Sequence, residues 1–197
     1  MSPELKAWLD DPVIQKIPPY KVFDNVWYVG LRWVAAYLIK TNDGYILIDT
    51  LHPPFVRHLI DNLALLNVDP SEIKYVLMTH GHFDHATDAK PLADRYGIKI
   101  YIHEADKATL DDPQLNVSYM MGQSKTFYAD VFLKDKQEID IAGFHIVVLH
   151  TPGHTPGGCC YYFPYEDVIF TGDSLFCGSI GRTDFKGGSM SDLVRTV

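Results

Sequence analysis

Thr79-His80-Gly81-His82-Phe83-Asp84-His85 gathers four metal-capable side chains into six residues. The stretch follows an apolar run, Lys74-Tyr75-Val76-Leu77-Met78, and precedes a segment with helical spacing. A strand end delivers rigid backbone, and Gly81 is expected to allow a sharp turn without steric cost. His80 and His82 lie two apart, so in extended chain they point to one side and can share an ion. Asp84 and His85, at the start of the helix, can turn towards a second ion close by. Imidazoles with carboxylates and no thiolates make the donor set of a hydrolytic metal site, whereas structural zinc favours Cys. A single His here would be a stray in a polar loop; four ligands in this order at a strand-to-helix junction are not.

Two later segments supply what this stretch lacks. His150-Thr-Pro-Gly-His154-Thr-Pro-Gly157 closes a hydrophobic strand with two Pro-Gly turns, a rigid loop able to hold His154 in place. Asp173, in Phe170-Thr-Gly-Asp-Ser174, again stands just past a buried run, where a carboxylate could bridge two ions with one oxygen each. A lone His or Asp at a strand end usually caps a turn. Three such segments in one chain favour a common site.

Outward from these motifs, the first third of the chain is β-rich, with short strands expected at residues 20–23, 26–29, 34–40 and 45–49. Asp24-Asn25 and Asn42-Asp43-Gly44 supply the turns between them. Residues 53–66 carry apolar side chains at Phe55, Leu59, Ile60, Leu63 and Leu66, the spacing of an amphipathic helix. A strand at 73–79, a helix at 86–96 capped by Gly97, a strand at 98–102 and a helix at 104–110 follow. Residues 111–130 have no period and read as a long loop lying over something. Strands at 145–150, 158–163 and 168–171, then a helix from 190, complete the chain. Strands in a run, then alternating with helices, then in a run again predict stacked sheets with helices outside.

The 197 residues suit one domain, 1–197, with a substantial core. A composition of 47% hydrophobic and 21% charged residues excludes a disordered chain, a collagen-like or coiled-coil protein and a disulfide scaffold. No apolar run approaches the ~20 residues that span a bilayer, so no membrane partner is expected. The charged start, Met1-Ser-Pro-Glu-Leu-Lys6, lacks the features of an export signal. A net charge of -8 argues against nucleic acid as partner. Cys159, Cys160 and Cys177 are an odd set with two adjacent, which reads as reduced thiols in the cytoplasm. His52, His58, His103, His145 and His150 are assigned to strand edges and helix faces.

Taken together, H-x-H-x-D-H, T-P-G-H-T-P-G and T-G-D-S-L-F resemble the metallo-β-lactamase superfamily over residues from about 20 to 197. Gly172-Asp-Ser-Leu-Phe-Cys-Gly-Ser-Ile-Gly-Arg-Thr-Asp184 is similar to the glyoxalase II-like branch, while Val22 to Gly30 and Ile46 to Thr50 are closer to true lactamases. The resemblance implies an α+β fold, an αββα sandwich of two mixed sheets flanked by helices, with metals at one edge between the sheets. It assigns His80, His82 and His154 to a first metal, Asp84 and His85 to a second, and Asp173 to a bridge. It makes Asp49 a partner that orients ligands. Arg182 falls where glyoxalase II-type enzymes place a basic residue against the anionic part of the substrate; an ion pair with Asp184 is the competing reading. These hydrolases usually take a further His for the second metal from beyond the bridging Asp. Here 24 positions follow Asp173 and none is His. The expectation is therefore a chain truncated at its C-terminal end, or a second metal held by Asp84, His85, Asp173 and solvent. The separate helical glutathione-binding domain of dedicated glyoxalase II enzymes has no counterpart in these motifs and is expected to be absent as well.

The function so implied is metal-dependent hydrolysis. A metal-bound hydroxide attacks a thioester or similar activated acyl substrate, an anionic small molecule, and Asp84 orients the hydroxide and shuttles its proton. Zn²⁺ at two sites is the expected cofactor, with Fe²⁺ as the other possibility. The alternatives are hydrolysis of a β-lactam or lactone ring, and a mononuclear iron persulfide dioxygenase using His80 or His82, His154 and Asp173. A further alternative is an inactive metal-binding relic or partial chain.

Overall fold

A computed structural model describes residues 2–122 and 124–197; Gln123, inside the expected 111–130 loop, lies outside the described residues. Two short helices, α1 (Pro3–Leu9) and α2 (Pro12–Gln15), lead into β1 (Tyr20–Phe23), β2 (Val26–Tyr28), β3 (Tyr37–Thr41) and β4 (Gly44–Ile48). Then come α3 (Val56–Leu65), β5 (Ile73–Leu77), α4 (Phe83–Ala86), α5 (Ala89–Tyr96), β6 (Lys99–His103), α6 (Lys107–Asp111) and β7 (Val131–Leu133). These seven strands form one sheet in sequence order. The β1–β4 strands pair antiparallel and β4–β7 parallel. β8 (Glu138–Ile141), β9 (Phe144–His150), β10 (Cys159–Phe163) and β11 (Val168–Phe170) make a second, antiparallel sheet in the order β11-β10-β9-β8. A small ribbon of β12 (Leu175–Phe176) and β13 (Ser179–Ile180) precedes α7 (Met190–Thr196).

Period-two alternation decides which layer each strand residue feeds. Ile39, Ile46, Ile48, Leu77 and Tyr101 point into the layer between the sheets, where they meet Ile146, Val148, Tyr161, Phe163 and Phe170. Their neighbours Leu38, Leu47, Val76, Ile100 and Ile102 point the other way, against Leu59 and Leu63 of α3 and Leu92 of α5. α7 buries Leu193 against Gly153, on the turn between β9 and β10. The result is the αββα sandwich of two sheets flanked by helices.

Several local expectations need correction. The helix expected at 86–96 is two helices, broken at Thr87-Asp88. Pro91 explains the break: inside a continuous helix it would lack an N–H for the Thr87 carbonyl and clash with it, whereas in the first turn of α5 the missing donor costs nothing. Residues 104–110 open with a 3₁₀ turn, Glu104–Asp106, before α6. β7 and β8 went unpredicted. β7 has only three residues, too few to show a period; β8 joins β9 through Ala142-Gly143, both at positive φ, a hairpin whose dipeptide is an unusual one. α1 was also missed despite its signature of Ser2 as N-cap, Pro3 at the first position and Glu4 in the first turn.

Candidate metal centre

Parallel pairing sends the C-terminal ends of β4, β5 and β6 to one edge of the large sheet, and the residues that follow them converge there. Asp49 follows β4, the His80–His85 stretch follows β5, and Asp106 follows β6. His154, on the turn between β9 and β10, and Asp173, after β11, arrive from the second sheet.

His80, His82 and His154 form one cluster, each offering a ligand atom within 4.8 Å of the others, and all three are buried. Their tautomers are set by what lies behind them. His154 donates from Nδ1 to the Arg182 carbonyl (2.7 Å), which turns Nε2 towards His82 Nδ1 at 2.9 Å. Thr79 Oγ1 donates to Asp49 Oδ2 (2.7 Å) and so accepts from His80 Nδ1 (3.0 Å), leaving His80 Nε2 buried with no hydrogen-bond partner. Burial first, and then the other imidazoles, push the pKa of His80 and of His82 well below the ordinary histidine value. Both rings are therefore neutral and able to act as ligands.

His85 occupies the opposite electrostatic setting. Its Nδ1 donates to Asp49 Oδ2 at 2.9 Å, while its Nε2 stands 3.4 Å from Asp173 Oδ1 and 3.8 Å from Asp84 Oδ2. Burial opposes a charge there, but Asp173, Asp49 and Asp84 outweigh it and raise His85 to about 10. Three carboxylates around one imidazole call for a cation, which a proton supplies when nothing else does. Asp173 completes the arrangement: its other oxygen, Oδ2, lies 3.4 Å from His154 Nε2, so one carboxylate spans the two nitrogen-lined positions. Asp49, His80 and His85 also cluster within 4.8 Å. Asp49 is nevertheless a holder, since its oxygens accept from Thr79 N, Thr79 Oγ1 and His85 Nδ1. The unpartnered His80 nitrogen, the facing His82 and His154 nitrogens and the excess of carboxylate are what a divalent cation would satisfy.

The structure thus brings together His80, His82, Asp84, His85, His154, Asp173 and Asp49. Arg182 is placed at the rim, where Nε and Nη2 donate to the two oxygens of Asp184 at 2.7 and 2.6 Å, and its guanidinium lies 4.1 Å from the Phe185 ring centre. Gly81 serves a different purpose from the one expected. It shows no left-handed φ; a Cβ there would come 3.1 Å from Thr109, so its role is close approach.

Asp106 was not foreseen. Fully buried, it accepts from Gly81 N (2.7 Å), Gly157 N (2.7 Å), Thr109 Oγ1 (2.9 Å) and Thr155 Oγ1 (2.9 Å), tying the His80–His85 stretch to the His154 loop. Nothing in its neighbourhood in sequence signals this, because the two backbone amides it holds lie 25 and 51 positions away. Asn116, also buried, was missed inside the 111–130 loop; its carbonyl accepts from Phe83 N at 3.0 Å. The remaining histidines keep to the core and strand edges: His58 meets Asn62, His145 meets Asp140, and His103 stacks on His150. His52 Nδ1 donates to the Pro53 carbonyl.

One mixed and one antiparallel sheet hold imidazoles and carboxylates at their shared edge, the arrangement of a candidate metal centre in an αββα fold. The chain belongs to the metallo-beta-lactamase superfamily, whose family model matches residues 29–196. It is 39% identical over 124 residues to the "Probable metallo-hydrolase YqgX" of Bacillus subtilis, covering 62% of this chain and 59% of that protein. It is 36% identical over 144 residues to the hydroxyacylglutathione hydrolase GloC of Haemophilus influenzae, covering 72% of this chain and 66% of GloC. Among solved structures it is similar to the B3 metallo-beta-lactamase BLEG-1, with a TM-score of 0.73, 34% identity and coverage of 83% and 78%. The chain spans about three fifths of the length of curated relatives such as YqgX.

Proposed function

We propose that this chain is a metal-dependent hydrolase that cleaves a thioester or a similarly activated acyl bond. The observation that carries the reading is the position of Asp173, whose two oxygens each stand 3.4 Å from a different imidazole, those of His85 and His154. His80, His82 and His154 would hold one ion and Asp84 with His85 the other, with Asp173 between them. Zinc suits these donors, and when bound it supplies Lewis acidity and brings the pKa of its water from 15.7 to about 7. The chain's own groups do the rest. Asp49 and the Arg182 carbonyl hold His85 and His154 in one tautomer each. Asp84, largely buried but lining the cleft, would orient the attacking water and accept its proton. Neutral His80 and His82 keep their lone pairs available because burial disfavours their protonation.

The thioester assignment draws support from the Gly172–Asp184 stretch and from similarity to GloC. A β-lactam or lactone ring is the second reading, favoured by the likeness to BLEG-1. No helix among the described residues is long and apolar enough to cross a membrane. The three cysteines are unbridged, which supports a reducing, cytoplasmic setting for the proposed enzyme.

The test is elemental analysis of the purified chain beside a panel of thioesters, lactones and β-lactams, repeated on His82→Ala and Asp173→Asn. Zinc with thioester turnover, both lost in His82→Ala, and lower occupancy in Asp173→Asn are expected. Iron with oxygen consumption would replace hydrolysis by oxygenation. About one ion per chain and no turnover of any substrate would identify a metal-binding relic.

A further inference from the structure

Resting on the reading that an acyl bond is cut at this centre, we infer that the acyl group is an uncharged, extended apolar chain seated beside the metal ligands. A cavity of about 400 Å³ opens directly on His82, Asp84, His154 and Asp173. Its walls come from three separate parts of the chain: Leu5 and Leu9 of α1, Val117 and Met120 of the 111–130 loop, and Phe176 and Phe185 near the C-terminal end. A wall assembled this way is apolar by convergence, since no single segment carries a long hydrophobic run.

Charge points the same way. Beyond the ligands themselves, Arg182 is the one charged residue among those lining this cavity, and its Nε and Nη2 donate to the carboxylate of Asp184. An anionic acyl group would have to compete with Asp184 for that guanidinium and lie beside the carboxylates of Asp84 and Asp173, whereas an alkyl chain requires nothing from any of them. The wall is also held in place. Val117 has φ +56°, a conformation that a β-branched residue adopts only where its surroundings impose it. Asn116 imposes it: its Oδ1 accepts from Ser118 N (3.0 Å), its Nδ2 donates to the Lys125 carbonyl (2.9 Å), and its own carbonyl accepts from Phe83 N. The apolar wall is thereby fastened to the backbone that carries His82 and Asp84.

The experiment uses the zinc-loaded chain and thioesters of one common thiol whose acyl group runs from acetyl through butyryl to hexanoyl, with succinyl as the anionic member. Each methylene removed from water is worth roughly a fourfold gain, so partial burial predicts a rise of about tenfold or more in kcat/KM from acetyl to hexanoyl, carried by KM. Succinyl should gain nothing over butyryl, and the pair Leu9→Ala with Met120→Ala should flatten the chain-length series. In parallel, calorimetry measures binding of non-hydrolysable hexyl and carboxyalkyl thioethers of the same thiol. If thioesters are hydrolysed but succinyl is preferred or chain length has no effect, the inference falls while the hydrolase reading stands. If nothing is hydrolysed but the hexyl thioether binds more tightly than the carboxyalkyl one, and the variants abolish that difference, the pocket stands and the hydrolase reading falls. Equal binding of the two thioethers without turnover overturns both.

Discussion

Asp106 shows how one side chain can hold a site it never touches. Four donors meet its carboxylate, two of them backbone N–H groups from the loops that carry the candidate ligands. Burial raises its pKa and these donors lower it again, with burial the larger effect. Asp106→Ala would strand the Gly81 and Gly157 amides in the interior. A loss of about 3 kcal/mol or more in urea unfolding is expected. Zinc affinity should fall by about 10- to 100-fold, as it does when groups behind metal ligands are removed. An unchanged zinc competition titration in a variant of lowered stability would show that Asp106 supports the fold alone.

At the scale of elements, the centre depends on short connections that leave strand ends with little freedom. The turn after β11 passes so close to Thr79 that a Cβ on Gly172 would come 2.3 Å from Thr79 Oγ1, and Gly172 has φ +49°. Gly172→Ala therefore meets both a left-handed backbone penalty and a clash with the hydroxyl that links Asp49 to His80. The two together should cost about 2 kcal/mol or more, read as a lower urea midpoint with an unchanged slope, and should weaken zinc binding. The divided helix α4–α5 belongs to the same scale. Its helical spacing is plain in the sequence, and Pro91 placed the break. Gly97 at φ +73° closes α5 as its position after the periodic run predicted.

For the whole molecule, acid sensitivity has an identifiable source outside the centre. His103, at the end of β6, stacks on His150 of β9, ring centres 4.0 Å apart, and so joins the two sheets. Burial, with the His150 ring next, lowers His103 to about 4. The unfolded chain then takes up a proton near pH 6.5 that the folded chain refuses until about pH 4. Stability contributed by this group is full above pH 6.5 and declines as pH falls through that window, by up to about 2 kcal/mol between pH 7 and pH 5. Unfolding free energies measured at both pH values should differ less in His103→Phe; an unchanged difference would move the acid sensitivity elsewhere.

What was legible in the sequence was what local spacing encodes. Two histidines two positions apart after an apolar strand, a carboxylate and a third histidine on the following turn, and Pro-Gly turns around His154 pointed to a candidate metal centre. The alternation of strands and helices declared the layers. Pairing Asp49 with His85 was also within reach, since both close elements that feed one sheet edge. Tertiary structure alone decided the partners that come from far along the chain. Asp106 gained its role because parallel pairing of β5 with β6 carries it to the same edge as Gly81. Asn116 gained its own because the 111–130 loop folds back on Phe83. For Arg182 the sequence left open a substrate contact or an ion pair with Asp184, and the rotamer seen in the structure makes the ion pair. Periodicity reports which face a residue presents to its own element; only packing the elements together determines what that face meets.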